Sequence, residues 1–253
     1  MHKSKGARKY ATVGPVQRIL IGFAPLQAAA PTVRPAPLNS GSSRLRFEFC
    51  TRTVYKSNVL QTTEVNEVSR LTALDLNALN DAQREVYEAI ASGPRGDMGL
   101  AGPFGVYVRA PSVGNAAQNL GAAVRYGTEL AENVKEVAIC TVGAHFRSKF
   151  EFAAHQALAA KAGVDDAIVE SLRVGETPVI QDPKEAMAHR VATELLTTRK
   201  VADATYAEAV SVMSESEVIE LVVTIGYYTT VSMVLNTFMV PIPDTMTDPF
   251  PED

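Results

Sequence analysis

From Val68 onward, apolar positions recur every three or four residues through a series of segments, the period of an amphipathic helix. LTALDLNALNDAQREVYEAIASG carries a helix start signal at Asn80 or Asp81 and a stop at Gly93-Pro94. PRGDMGLAGPFGVYVRAP follows as a glycine- and proline-rich loop. Its glycines lack GxGxxG spacing and no strand precedes them, which argues against a phosphate cradle. A helix is predicted after Pro111, carrying AAQNLGAAVRYG. LAENVKEVAICTVGAHF is apolar on every side except at its start, a pattern that predicts burial all round. SKFEFAAHQALA is the next helical stretch, stopped at Lys161-Ala162-Gly163. VDDAIVESLRVG, PKEAMAHRVATELLTTRK, DATYAEAVSVM and SEVIELVVTIGYYTTVSMVLNTFMV complete the series. No segment alternates as a strand would. The expected fold class is an all-α multi-helix bundle, closed by an acidic, proline-rich tail at residues 246–253.

Residues 1–66 read differently. They are rich in Pro, Ser and Ala, lack a helical period, and include the linker-like run PTVRPAPLNSGSS. They hold ten basic residues against two acidic ones, leaving 14 basic and 26 acidic residues in the remainder. That remainder has a net charge of −12, which argues against a nucleic-acid partner. The basic start is an N-terminal extension, either an irregular tail or an organellar transit peptide. Localisation is accordingly read as cytoplasmic, or mitochondrial if the extension is a transit peptide. The helical domain is placed at 67–245.

A chain of 253 residues that is 46% hydrophobic can bury a substantial core. Two cysteines, Cys50 and Cys140, make neither a disulfide framework nor a CxxC zinc pattern. The longest apolar run is broken before a membrane-spanning length, so no membrane partner is expected.

Candidate chemistry concentrates between residues 136 and 155. Glu151 and His155 are four residues apart and share a helical face. Glu136 lies 19 residues before His155. On one straight helix the two would be about 28 Å apart, so cooperation requires the chain to reverse near Gly143–Lys149. His145, Phe104 and Arg109 are candidate pocket residues, the last because a guanidinium pairs bidentately with a carboxylate. Asn236 interrupts an apolar helix and needs a partner, either a ligand or backbone. No HExxH or comparable motif joins His145, Glu151 and His155 into a metal site, and no metal is expected.

Three passages carry a family resemblance: DAQREVYEAIASGPRG with GPFGVYVRAP, VKEVAICTVGAHFRSKFEFAAHQALAAKAGV, and VIELVVTIGYYTTVSMVLNTFMVPIP. Residues 71–245 thereby resemble the carboxymuconolactone decarboxylase family, which shares the all-α fold of alkylhydroperoxidase D. Peroxidase members carry E-x11-C-x2-C-x3-H. Set on this sequence, that pattern places Glu136 and His155 at its ends and Ser148 and Glu151 at its two thiol positions. Thiol peroxidase chemistry needs a thiolate and a resolving thiol, so the resemblance points to the decarboxylase-like branch instead. Many members of that branch have tryptophan where this chain has Phe146 and Phe152.

The resemblance implies cofactor-free loss of CO2 from a small organic acid or lactone. His155 would be the proton donor, Glu136 or Glu151 its orienting group, and Ser148 a residue of the substrate site. It also implies a homo-oligomer, a dimer or trimer-based assembly. The rival expectations are a peroxidase-like antioxidant protein of the same fold and a non-enzymatic helical oligomer that binds a small acid.

Overall fold

The computed structural model describes residues 69–96 and 99–251; the N-terminal extension read at 1–66 lies outside them. Among the described residues there is no strand. After a single 3-10 turn at Leu76–Ala78 come α1 (Asp81–Ala91), α2 (Phe104–Tyr107), α3 (Pro111–Tyr126), α4 (Glu132–His145) and α5 (Lys149–Ala162). They are followed by α6 (Asp166–Val174), α7 (Pro183–Thr198), α8 (Asp203–Val212) and α9 (Glu215–Phe238). The expected all-α bundle is the fold. One element was not foreseen: α2 lies inside the segment read as loop.

The helix ends follow local chemistry. Asn80 and Gln83 form a reciprocal capping box at the start of α1, and Ser214 with Glu217 does the same for α9. Asp182 accepts from the backbone of Lys184 and Glu185, with Pro183 at the first position of α7. α5 stops at Gly163, whose φ of 85° is open to glycine and strained for other residues.

α4 is the axis of the bundle. Ten consecutive residues, Val134 to Gly143, are buried, as its all-round apolar pattern predicts. It packs mainly on α5, α7 and α9. Ile139 and Val142 of α4 meet Val191 of α7 and Leu221 and Ile225 of α9 in the largest core cluster. Val137 and Cys140 face a second cluster with Phe152, Ile168 and Leu172. A third joins α1 and α2 through Val86, Ile90, Phe104 and Tyr107.

α9 has 24 residues and is long and apolar enough to cross a membrane, contrary to the expectation from apolar run lengths. Hydroxyl-bearing residues such as Thr224 and Ser232 interrupt the run without lowering its mean hydropathy below a membrane-like value. In this fold Leu221, Ile225, Tyr228, Val231 and Leu235 pack it into the core.

The chain reverses between α4 and α5 at Phe146–Ser148, within the interval that cooperation of Glu136 and His155 requires. The residue that makes the turn is Arg147, at φ 45°, and not Gly143. Gly143 stays helical, with the α5 backbone at Phe152 beside it.

The acidic tail is part of the core rather than an appendage. Phe250 is 1% exposed and its ring lies 5.1 Å from that of Phe152. Arg147 stacks over Phe250, Lys149 pairs with Asp248 at 3.1 Å, and Arg173 donates to the Pro249 carbonyl. Composition hid this, because one aromatic ring among prolines and acids does not register as a hydrophobic segment. Phe250→Ala is expected to lower stability by about 3 kcal/mol, seen as a lower urea midpoint at unchanged slope. An unmoved midpoint would place the tail outside the cooperative core.

Candidate active site

Four helices converge on one cluster of charge. Glu136 comes from the middle of α4, Arg125 from the last turn of α3, and Glu151 and His155 from α5. Tyr228 of α9 sets its ring 4.9 Å from the imidazole, edge to face. Glu136 is 1% exposed, so its carboxylate has left water almost completely. Its two oxygens are divided: Oε1 accepts from Arg125 Nη1, and Oε2 lies 2.7 Å from His155 Nδ1. Arg125 also reaches Glu132 at 3.4 Å. Lys135, itself buried, pairs with Glu132 at 2.6 Å and donates to the Arg125 carbonyl at 2.9 Å, fastening the end of α3 to α4.

These contacts order the ionisations. Burial works against the charge on Glu136, but His155 and Arg125 outweigh it and hold the carboxyl below its ordinary value. Burial likewise opposes the His155 cation, yet Glu151 and Glu136 together keep its pKa above the ordinary one. Glu151 is where burial wins: its carboxyl is pushed up to about 7, with Glu136 adding and His155 opposing. An ionised Glu136 accepts the Nδ1 proton of His155, which turns Nε2 toward Glu151. The Glu151 Oε1 atom lies 3.2 Å from Nε2, close enough to pair with the cation but without hydrogen-bond alignment. Among the described residues Oε1 has no hydrogen-bond partner. The pair can therefore carry a proton on either group, with one acceptor position unfilled.

Glu151 and His155 open onto a cavity of about 260 Å³. Arg95, Arg125, Tyr227 and Tyr228 provide its polar wall. Phe104, Phe150, Leu158 and Val231 provide the apolar one. Polar groups converging in a small, mostly apolar hollow are the physical signature of a ligand site.

Of the residues singled out in the sequence, Glu136, Glu151, His155 and Phe104 meet at this cavity or directly behind it. The other four do not. Ser148 precedes α5 and is fully buried; it borders a separate hollow of about 170 Å³ with Asn236. Asn236 is exposed and donates to the Phe146 carbonyl at 2.8 Å, so its partner is backbone. His145 is exposed at the end of α4, two residues beyond the buried stretch, against the Phe146 ring. Arg109 donates to the Thr72 carbonyl and borders a different hollow, because α2 turns the loop after Phe104 away from the cavity. Phe146 and Phe152, the positions of tryptophan in the resembling family, pack into core clusters.

Arg95, Arg125, Tyr227 and Tyr228 were missed. Arg125 lies 11 residues before Glu136, and no helical spacing links the two across the α3–α4 turn. Arg147, nearer to His155 in the chain, stacks on Phe250 instead. The Tyr227-Tyr228 pair inside an apolar helix was the available signal, since buried phenols seek a polar neighbour.

Cys140 lies one turn beyond Glu136 and is 1% exposed. Burial, helped by the charges of Glu136 and Glu151, pushes its thiol well above the ordinary value. It is therefore not a thiolate at neutral pH.

No protein-family model matches the sequence, and no curated protein matches it. Among solved structures, the chain is similar to an uncharacterised peroxidase-related protein from Ralstonia eutropha, described as an alkylhydroperoxidase AhpD core. The identity is 14%, covering 70% of this chain and 93% of that one, at a TM-score of 0.58. It is also similar to a protein of unknown function from Agrobacterium tumefaciens, named as a candidate AhpD antioxidant defence protein. There the identity is 16%, covering 54% of this chain and 95% of that one, at a TM-score of 0.47. The Ralstonia match establishes an alkylhydroperoxidase D-like all-α fold.

The raised carboxyl of Glu151 has a consequence for stability. A carboxyl that titrates near 7 when folded and near 4.5 otherwise destabilises the fold once ionised. That cost is absent below pH 4.5 and complete above pH 7. Glu151→Gln, which stays neutral, should therefore match the parent's melting temperature at the acidic end. Above pH 7 it should exceed the parent by up to about 3 kcal/mol of stability. Equal melting curves at both ends would show that Glu151 titrates normally.

Proposed function

We propose that this protein is an enzyme that moves a proton to carbon in a small organic acid, with loss of CO2, as in the carboxymuconolactone decarboxylase-like branch of the fold. The observation that carries the reading is the Glu136–His155–Glu151 series. A buried, ionised carboxylate holds one ring nitrogen, and a carboxyl titrating near 7 faces the cavity at the other.

In the proposed reaction the bond between the substrate's carbon chain and its carboxylate breaks. CO2 departs, and the bonding pair passes into a conjugated carbonyl of the substrate as an enolate. The Glu151–His155 pair then gives its proton to the carbon that lost CO2, and solvent restores the proton. The electron sink is the substrate's own carbonyl, so the step calls for no cofactor. Proton donation by a positioned acid whose pKa lies near the working pH is favourable general-acid catalysis. Glu136 lies behind the imidazole, where it keeps the ring oriented and its pKa high. Arg125, on the cavity wall, keeps Glu136 ionised, while its own charge works against the His155 cation.

The alternative is a peroxidase-like protein, in keeping with the peroxidase-related Ralstonia protein. Against it stand the serine and glutamate at the two thiol positions and the raised pKa of Cys140. Homo-oligomerisation and the absence of a nucleic-acid or membrane partner remain part of the proposal.

CO2 release assayed across lactone acids and keto acids tests the reading. With a turned-over acid in hand, His155→Ala should reduce kcat by roughly 10²–10⁴, while His155→Gln restores the fold but not the rate. Turnover should fall as pH rises through the titration of the Glu151–His155 pair, because the protonated pair is the donor. A rate that instead rises with pH would make the pair a base and overturn the decarboxylation.

Replacing both cysteines, Cys50→Ser with Cys140→Ala, should leave turnover within about twofold, since neither occupies a thiol position of the peroxidase pattern. Loss of turnover in a folded double variant would favour the peroxidase alternative.

A further inference from the structure

We infer that Arg95, with Tyr227 beside it, is the anchor for a ligand carboxylate in this cavity, and so determines which acids the site accepts. The inference rests on the proposed acid substrate but assigns a binding role that the proton relay does not need.

Two guanidinium groups line the cavity, and their situations differ. Arg125 is committed to the protein's own acids, Glu136 and Glu132. Arg95 has no carboxylate partner among the described residues. Its Nη1 donates to the Gln118 carbonyl at 3.2 Å, and its guanidinium carbon lies 5.4 Å from the centre of the Phe104 ring. One backbone bond and one aromatic face thus fix the fork, and no carboxylate among the described residues neutralises it. A half-buried guanidinium facing a mostly apolar hollow is stabilised by an anion, and a carboxylate matches its planar donor geometry.

Tyr227 brings its hydroxyl to the same place, with the Tyr107 phenol as its neighbour. Burial pushes its phenol pKa upward, so the hydroxyl keeps its proton. Gly121 of α3 makes room for both groups. A Cβ there would lie 2.1 Å from the Tyr227 hydroxyl oxygen and 2.6 Å from an Arg95 terminal nitrogen. The two polar tips therefore crowd one point on the cavity wall, above a helical position that has no side chain.

Anchoring and reaction are separate tasks. A carboxylate paired with a guanidinium is stabilised relative to neutral CO2, so the group held by Arg95 is not the group that leaves. It orients the acid with its reactive carbon toward Glu151 and His155, between the walls formed by Phe150, Leu158 and Val231.

Benzoate and benzyl alcohol are suitable probes, being alike in ring and size and different in charge. Titration calorimetry on the full chain should show millimolar or tighter binding of benzoate and none of benzyl alcohol. Arg95→Gln should weaken benzoate by at least about tenfold. Gly121→Ala keeps the arginine, suits a helix interior and displaces both polar tips; it should weaken benzoate as well, and it serves if Arg95→Gln fails to fold. Absence of benzoate binding to the parent, equal binding of the alcohol, or parental affinity in both variants would overturn the anchor. The reaction can fail separately. If no acid releases CO2 while benzoate binding still depends on Arg95, the decarboxylation is wrong and the anchor stands. If an acid is turned over with the same KM in the parent and in Arg95→Gln, the anchor is wrong and the reaction stands.

Discussion

An ionised carboxylate in the middle of a buried helix is costly unless its oxygens are met by charge, and Glu136 of α4 is in that position. Removing one partner of such a buried pair typically costs about 3–5 kcal/mol, because the remaining charge is left without compensation. Arg125 and His155 answer one oxygen each, which places demands on three helices at once. The last turn of α3 must end beside α4, and Lys135 fastens it there through the Arg125 carbonyl. α5 must double back along α4, and the reversal at Arg147 allows this. The packing of the bundle and the orientation of the imidazole thus answer the same electrostatic need.

The same constraint grades the polarity of the cavity. Charge is most fully satisfied behind His155, where Glu136 has a partner on each oxygen. It is less so at Glu151, whose Oε1 has no hydrogen-bond partner among the described residues. Burial raises the carboxyl of Glu151 because the compensation stops short of it. Two carboxylates on either side of one imidazole therefore acquire different proton affinities from their surroundings alone. In the proposed reaction that difference separates the group that orients from the group that delivers.

An alkylhydroperoxidase D-like scaffold suits such a division. Thiol chemistry at the positions of Ser148 and Glu151 would depend on nucleophilic sulfur, whereas a serine and a glutamate there leave only hydrogen bonding and proton transfer. Ser148 is sealed beneath the start of α5 and does not reach the cavity. Glu151, one turn into the helix, does.

The helices themselves could be read from the chain: the period of the apolar positions, the signal at Asn80, the stop at Gly163 and the all-round apolarity of α4 each act through near neighbours. The pairing of Glu151 with His155 was legible for the same reason, being one helical turn. Glu136 required an outside resemblance and an assumed reversal. Other features depended on the tertiary structure. Arg125 and the two tyrosines reach the cavity from helices far apart in the chain, Arg95 reaches it from the turn after α1, and Phe250 enters the core from a tail rich in prolines and acids. Arg109, His145, Ser148 and Asn236 had suitable chemistry but face elsewhere, because α2, the end of α4 and the turn at Arg147 direct them away. Residue type and spacing specify what a side chain can do within about one turn. Which distant charges must share a buried space is set by how whole helices pack, and that packing decided which of these side chains meet.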